Sequence, residues 1–234
     1  MSSLRALLIG AVAVVVAGCA ALDSTVDAAD MAGVSKIGVV SGLSNELNHI
    51  QVGANFFSND WQYRMVPEWN MPGISEVSLA AALQNAPNIG EVGIVDTAGL
   101  NRAAFADNKA ALLGAARMQG FDVVALIMPM WPQSQSKLVP GYGVMRSQSF
   151  GIVNLCIYQQ TMIYVLDVAT GKQLAREHGY NVWDGSCRDS SVPFKTNVHT
   201  YSDVEMGALK EELRSAFDFG FERSVRKLGF GTRR

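Results

Sequence analysis

The chain has 234 residues, 49% of them hydrophobic and 17% charged, with 19 Lys+Arg against 21 Asp+Glu for a net charge of −2. That near-balance argues against a nucleic-acid partner, because no stripe of cations is available to neutralise phosphates. The nearest thing to a basic run, residues 223–234, reads as solvation of a helix end.

An apolar segment over residues 6–17 follows a single cation, Arg5. About a dozen residues is too short for a helix to cross a bilayer core, which takes about 20. A positive start, a short apolar middle and small residues at the end describe a signal peptide. Val16-Ala17-Gly18-Cys19 resembles the bacterial lipobox. The resemblance implies cleavage before Cys19, diacylation of its thiol and usually acylation of the new N-terminus. The plainer reading is an ordinary signal peptide with a chance cysteine. Two or three acyl chains anchor a protein firmly, where one binds marginally. Ala20 stands where an aspartate usually marks inner-membrane retention, so the expected location is the outer membrane, facing the periplasm. Removing residues 1–18 takes away Arg5 and no carboxylate, moving the charge from −2 to −3. What is left is long enough for one domain with a sizeable core.

In chain order, residues 19–35 are small, polar and acidic and read as a lipidated flexible tether. Residues 36–43 (KIGVVSGL) open the domain, expected over 36–230, as a β-branched strand. ELNHIQVG and WQYRMVP look strand-like, and the region is rich in aromatics: Phe56, Phe57, Trp61, Tyr63 and Trp69. Residues 74–84 predict a short helix and 91–95 a buried strand. A helix is expected over 102–119, with Asn101 as N-cap and Gly120 just past its end. Residues 123–130 predict the next strand. Residues 131–150 (WPQSQSKLVPGYGVMRSQSF) read as a long loop, of the kind that is usually functional or disordered. A long strand over 153–167, a turn at Ala169-Thr170-Gly171 and a return arm over 172–182 make the clearest hairpin. Ser202 and Glu205 fit a capping box opening a helix to about residue 227, with Leu209, Leu213, Phe217, Phe221 and Leu228 on one stripe. The fold expected is α/β (α+β): a mixed sheet flanked by helices, with a β-hairpin in the C-terminal half and a long C-terminal helix.

Cys156 and Cys187 remain once Cys19 is given to lipid, an even pair for an oxidising compartment. Hairpin pairing sets Cys156 opposite about position 184, close to Cys187. A bridge there closes a loop of about 30 residues and stabilises by roughly 3–4 kcal/mol in the chain-entropy model; two free thiols are the alternative.

Other motifs lead less far. Asp96-Thr97-Ala98-Gly99 matches the magnesium loop of GTPases, but no GxxxxGK[ST] cradle precedes it, and Asp, Thr and Gly suit a strand-to-helix turn. No GxSxG elbow frames a serine, and His49, His178 and His199 stand in no recognisable triad. His178, Asp184, Asp189 and His199 lack metal-ligand spacing, and Met128, Met130 and Met145 read as packing residues sooner than a soft copper site. No cofactor, metal or catalytic residue is assigned. The long loop has a better claim: Trp131, Leu138, Tyr142 and Met145 are apolar anchors among polar residues, as partner contacts are. The plainer reading folds them onto the domain's own sheet.

The hairpin YVLDVATGKQLAREH (residues 164–178), with the strand–helix–strand units before it, resembles a group of envelope lipoproteins. The group includes the curli secretion lipoprotein, the peptidoglycan synthase activator lipoprotein and the N-terminal domain of the Tol-Pal translocation protein. The aromatic segment 45–69 and the long loop depart from its pattern. The resemblance implies a non-catalytic, lipid-anchored module of the cell envelope that binds an envelope protein or itself. The alternative is a periplasmic enzyme or small-ligand carrier with its site near residues 131–150.

Overall fold

The computed structural model describes residues 25–53, 59–87, 89–102, 105, 107–130, 139–149, 152–180 and 188–230. Within them, nine strands form one mixed sheet: β1 (Lys36–Ser41), β2 (Glu46–Val52), β3 (Asp60–Met65), β4 (Glu91–Ile94), β5 (Val123–Pro129), β6 (Gly141–Ser149), β7 (Ile152–Asp167), β8 (Gln173–Tyr180) and β9 (Arg188–Asp189). Three α-helices accompany them: α1 (Met71–Gln84), α2 (Lys109–Met118) and α3 (Asp203–Lys227). The fold is the mixed α+β arrangement expected, with its hairpin and long C-terminal helix.

The strand order is β3-β2-β6-β7-β5-β1-β4, and β8 and β9 also pair with β7. At 16 residues, β7 is long enough to take partners in succession. Its first part, from Ile152 to Gln160, pairs with β6, and the rest, Thr161 to Asp167, pairs with β5. β1 runs parallel to β5, and β2 runs parallel to β6.

Alternation along each strand divides the core between two faces. Ile37 and Val39 join Met71, Leu79 and Leu83 of α1 and Leu209, Leu213, Phe217 and Phe221 of α3. Val40 points the other way, to Leu112, Leu113 and Ala116 of α2. α3 starts where the sequence placed it. The Ser202 hydroxyl accepts from Glu205 N–H at 3.4 Å, and the Glu205 carboxylate accepts from Ser202 N–H at 2.7 Å. Ser202→Ala is expected to cost about 1 kcal/mol in urea unfolding; an unchanged midpoint would remove the cap from the account of this helix.

Three expectations need correction. The helix expected over 102–119 is α2, Lys109–Met118, with Asn108 at its N-cap. Phe105, described ahead of the helix, lies outside it and is buried in the α2-side core. Part of the expected long loop is not loop: residues 141–149 are strand β6, and residues 131–138 lie outside the described residues. Gly143 is there for close approach: a Cβ on it would stand 2.0 Å from the backbone oxygen of Asn48 in the neighbouring β2. Finally, residues 25–35 are no free tether but a strap along the domain. Val26 N–H donates to Leu228 O at 2.9 Å, Asp30 pairs with Lys172 at 3.1 Å, and Val26, Met31 and Val34 pack on the core.

Candidate functional site

Of the residues singled out in the sequence, Cys19, Trp131, Leu138 and Cys187 lie outside the described residues. Tyr142 and Met145 are not surface contacts: both are buried in β6. Tyr142 faces α3, its ring edge-on to Phe217 at 5.9 Å, and its hydroxyl donates to Ser44 O at 2.9 Å. Burial pushes its phenol well above the ordinary value. Met145 faces the other side of the sheet and packs with Ile50, Val52, Cys156 and Tyr158. Cys156 is disulfide-bonded.

The surface that stands out is β3. It ends the strand order and pairs with β2 alone among the described residues. Its apolar residues point outward: Trp61 is 53%, Tyr63 60% and Met65 55% exposed. Alternation in a half-buried strand normally turns apolar residues to the core. Here Gln62 decides the opposite. Its side-chain amide donates to Thr196 O at 2.9 Å and to the Asp60 carboxylate at 2.7 Å, while its carbonyl accepts from Val198 N–H at 2.9 Å. Fixing Gln62 inward sends Trp61, Tyr63 and Met65 out. Ile50, opposite Trp61 in register, is fully buried, so the row borders a packed core.

The segment that holds Gln62 is itself held by His49, which is opposite Gln62 on β2. The imidazole stacks on Phe194 with ring centroids 4.1 Å apart and meets Tyr201 edge-on at 5.8 Å. Its Nε2 is 3.4 Å from the Tyr201 hydroxyl. Burial is the largest influence on this ring and holds its pKa down at about 4, against an opposing pull from Asp60. His49 is therefore neutral at pH 7 and serves as an aromatic peg. His178 sits in β8 and His199 is exposed in the 3-10 turn Val198–Thr200, so the three histidines occupy three separate elements.

No family model matches the chain, and no curated protein matches it. Among solved structures it is similar to a single-residue variant of the PelC dodecamer from Paraburkholderia phytofirmans. That pair shares 13% identity at a TM-score of 0.37, covering 88% of this chain and 96% of the other. A second PelC dodecamer structure from the same organism gives 13% identity and a TM-score of 0.31, over 86% and 94% of the two chains. Values this low carry no argument about function.

Away from β3, an open groove of about 830 Å³ lies between α1 and α3, lined by Glu76, Ser78, Lys210, Arg214 and Asp218 among others. Its buried acid is already engaged. Glu76 accepts from Ser41 N–H at 2.9 Å and pairs with Arg102 at 2.5 Å, contacts that oppose the upward push of burial on its pKa. Asp96 caps its own turn, accepting from Ala98 N–H at 2.9 Å, and Gly99 takes the left-handed φ of 83° there. Among the described residues no three His, Cys, Asp or Glu side chains are grouped to hold a metal ion, and no helix is long and apolar enough to cross a membrane.

Proposed function

We propose that the chain is a lipid-anchored periplasmic binding or assembly module of the bacterial cell envelope, acylated at Cys19, held at the outer membrane and without catalytic chemistry of its own. The observation that carries the binding reading is the outward row Trp61, Tyr63, Met65 on a terminal strand. An open strand edge offers unpaired backbone donors and acceptors, and Trp and Tyr are enriched among the anchors that dominate interfaces. The strap supports a domain held near its anchor. With residues 25–35 fixed on the domain, residues 20–24 are the spacer to Cys19, at most about 17 Å long when extended. The bridge proposed for Cys156 is to Cys187. β9 sets Asp189, two residues beyond Cys187, opposite Cys156.

The test is a photocrosslinking residue at Tyr63, in cells, in the parent chain and in Cys19→Ser. The parent is expected in the membrane fraction with a crosslinked polypeptide at position 63, and Cys19→Ser in the soluble fraction. Membrane retention of Cys19→Ser would overturn the anchor. A parent chain with no adduct above background would overturn the binding surface.

A further inference from the structure

We infer that β3 pairs with β3 of a second copy of this chain, antiparallel, about a two-fold axis through Gln62. The inference rests on the reading of β3 as a binding surface and names its occupant. β2 takes one edge of β3, and among the described residues no strand takes the other. The stretch Asp60-Trp61-Gln62-Tyr63-Arg64 is complementary to its own reverse. With the axis on Gln62, Asp60 lies opposite the partner's Arg64, Arg64 opposite the partner's Asp60, and Trp61 and Tyr63 opposite the partner's Tyr63 and Trp61.

Directly opposed residues in an antiparallel pair share a face and interact, aromatic pairs and opposite charges favourably. Both Trp–Tyr pairs then fall on the outward face, and both ion pairs on the face of Gln62. Among the described residues neither Asp60 nor Arg64 has an ion-pair partner in its own chain; the Asp60 carboxylate accepts only from the neutral Gln62 amide, and Arg64 Nη1 is buried without a hydrogen bond. The register is selective. Moving the axis one residue either way loses both ion pairs: centred on Trp61, Asp60 meets the partner's Gln62; centred on Tyr63, it meets the partner's Val66.

The contact is small. Five paired residues and a three-residue row fall short of the ~800 Å² per partner of a stable interface. The pair is weak in dilute solution and forms where copies are confined together, which raises their effective concentration.

The experiment uses the full chain in its own envelope. Trp61→Cys and Tyr63→Cys variants are made separately and together in one cell, and disulfide dimers are read on non-reducing gels after mild oxidation. Together they are expected to give several-fold more dimer than either alone. Adding Arg64→Asp to both chains sets acid against acid and should abolish the dimer. Adding Asp60→Arg as well exchanges the charges and should restore at least half of it, which separates a register effect from misfolding. Yields no higher together than alone, or a dimer indifferent to Arg64→Asp, would overturn the inference. A disulfide from position 61 to a different polypeptide would overturn it and leave the binding reading intact. If the chain fractionates as soluble, the anchor reading fails, and the same gel on the concentrated purified full chain still decides the pairing.

Discussion

Phe217→Ala is expected to destabilise the domain by about 4 kcal/mol, a large share of the 5–15 kcal/mol that holds a domain folded. The ring is fully buried, where α3 crosses the sheet. It stands edge-on to Tyr142 and stacks on Phe221 with centroids 5.5 Å apart. The space it leaves cannot close by moving Tyr142, whose hydroxyl is tied to Ser44 O. A cavity that stays open costs the most, because the lost transfer energy and the lost contacts add. Urea unfolding of the oxidised chain measures it; a loss below about 2 kcal/mol would mean that α3 relaxes onto β6 after all.

The second large effect is one of acidity. His49 has an ordinary value of 6.5 and is held at about 4 in the folded chain. Between those values the unfolded chain binds a proton that the folded chain refuses. Stability contributed by neutral His49 is therefore full above pH 6.5 and falls as the pH drops toward 4. The loss reaches roughly 2 kcal/mol at pH 5, at 1.36 kcal/mol per unit. Ordinary carboxylates begin to titrate only below that. His49→Gln is expected to be less stable at pH 7 and to lose this slope. Melting temperatures of both chains at pH 7, 6 and 5 check it, and a variant that keeps the parent's slope would assign the acid sensitivity elsewhere. Because His49 pegs Phe194 and Tyr201, protonation also loosens the segment that holds Gln62 and hence the pose of β3.

Features written in local chemistry were legible in the sequence. The capping box and the stripe Leu209, Leu213, Phe217, Phe221 and Leu228 follow from positions three, four and seven residues apart, and all five stripe residues are buried. The β7–β8 turn is likewise local: Asp167 accepts from Thr170 N–H and hydroxyl, both at 2.6 Å, and Gly171 takes a φ of 71°. Features that depend on distant chain were not legible. Gly141 and Gly143 look like loop residues, yet Gly143 admits a neighbouring strand found some 95 residues earlier. The strap has a tether's composition and is fixed by Leu228, Lys172 and Asp122, all far along the chain. Trp61, Tyr63 and Met65 were visible as an aromatic, strand-like stretch. Their outward direction was not, because it is decided by Gln62 finding Thr196 and Val198, more than 130 residues away.

The succession of partners along β7 also fixes an order of events. β5 and β6 both need β7, and β7 comes after them in the chain. A chain emerging N-terminus first can pair β1 with β5 and β2 with β6, but these patches stay unsealed until residue 167 has arrived. Such pairings close long loops before they are repaid, which makes folding slow, and unsealed strands invite aggregation in the interval. This protein is therefore most vulnerable before β7 is free to bind, and a holding chaperone matters most to it in that interval.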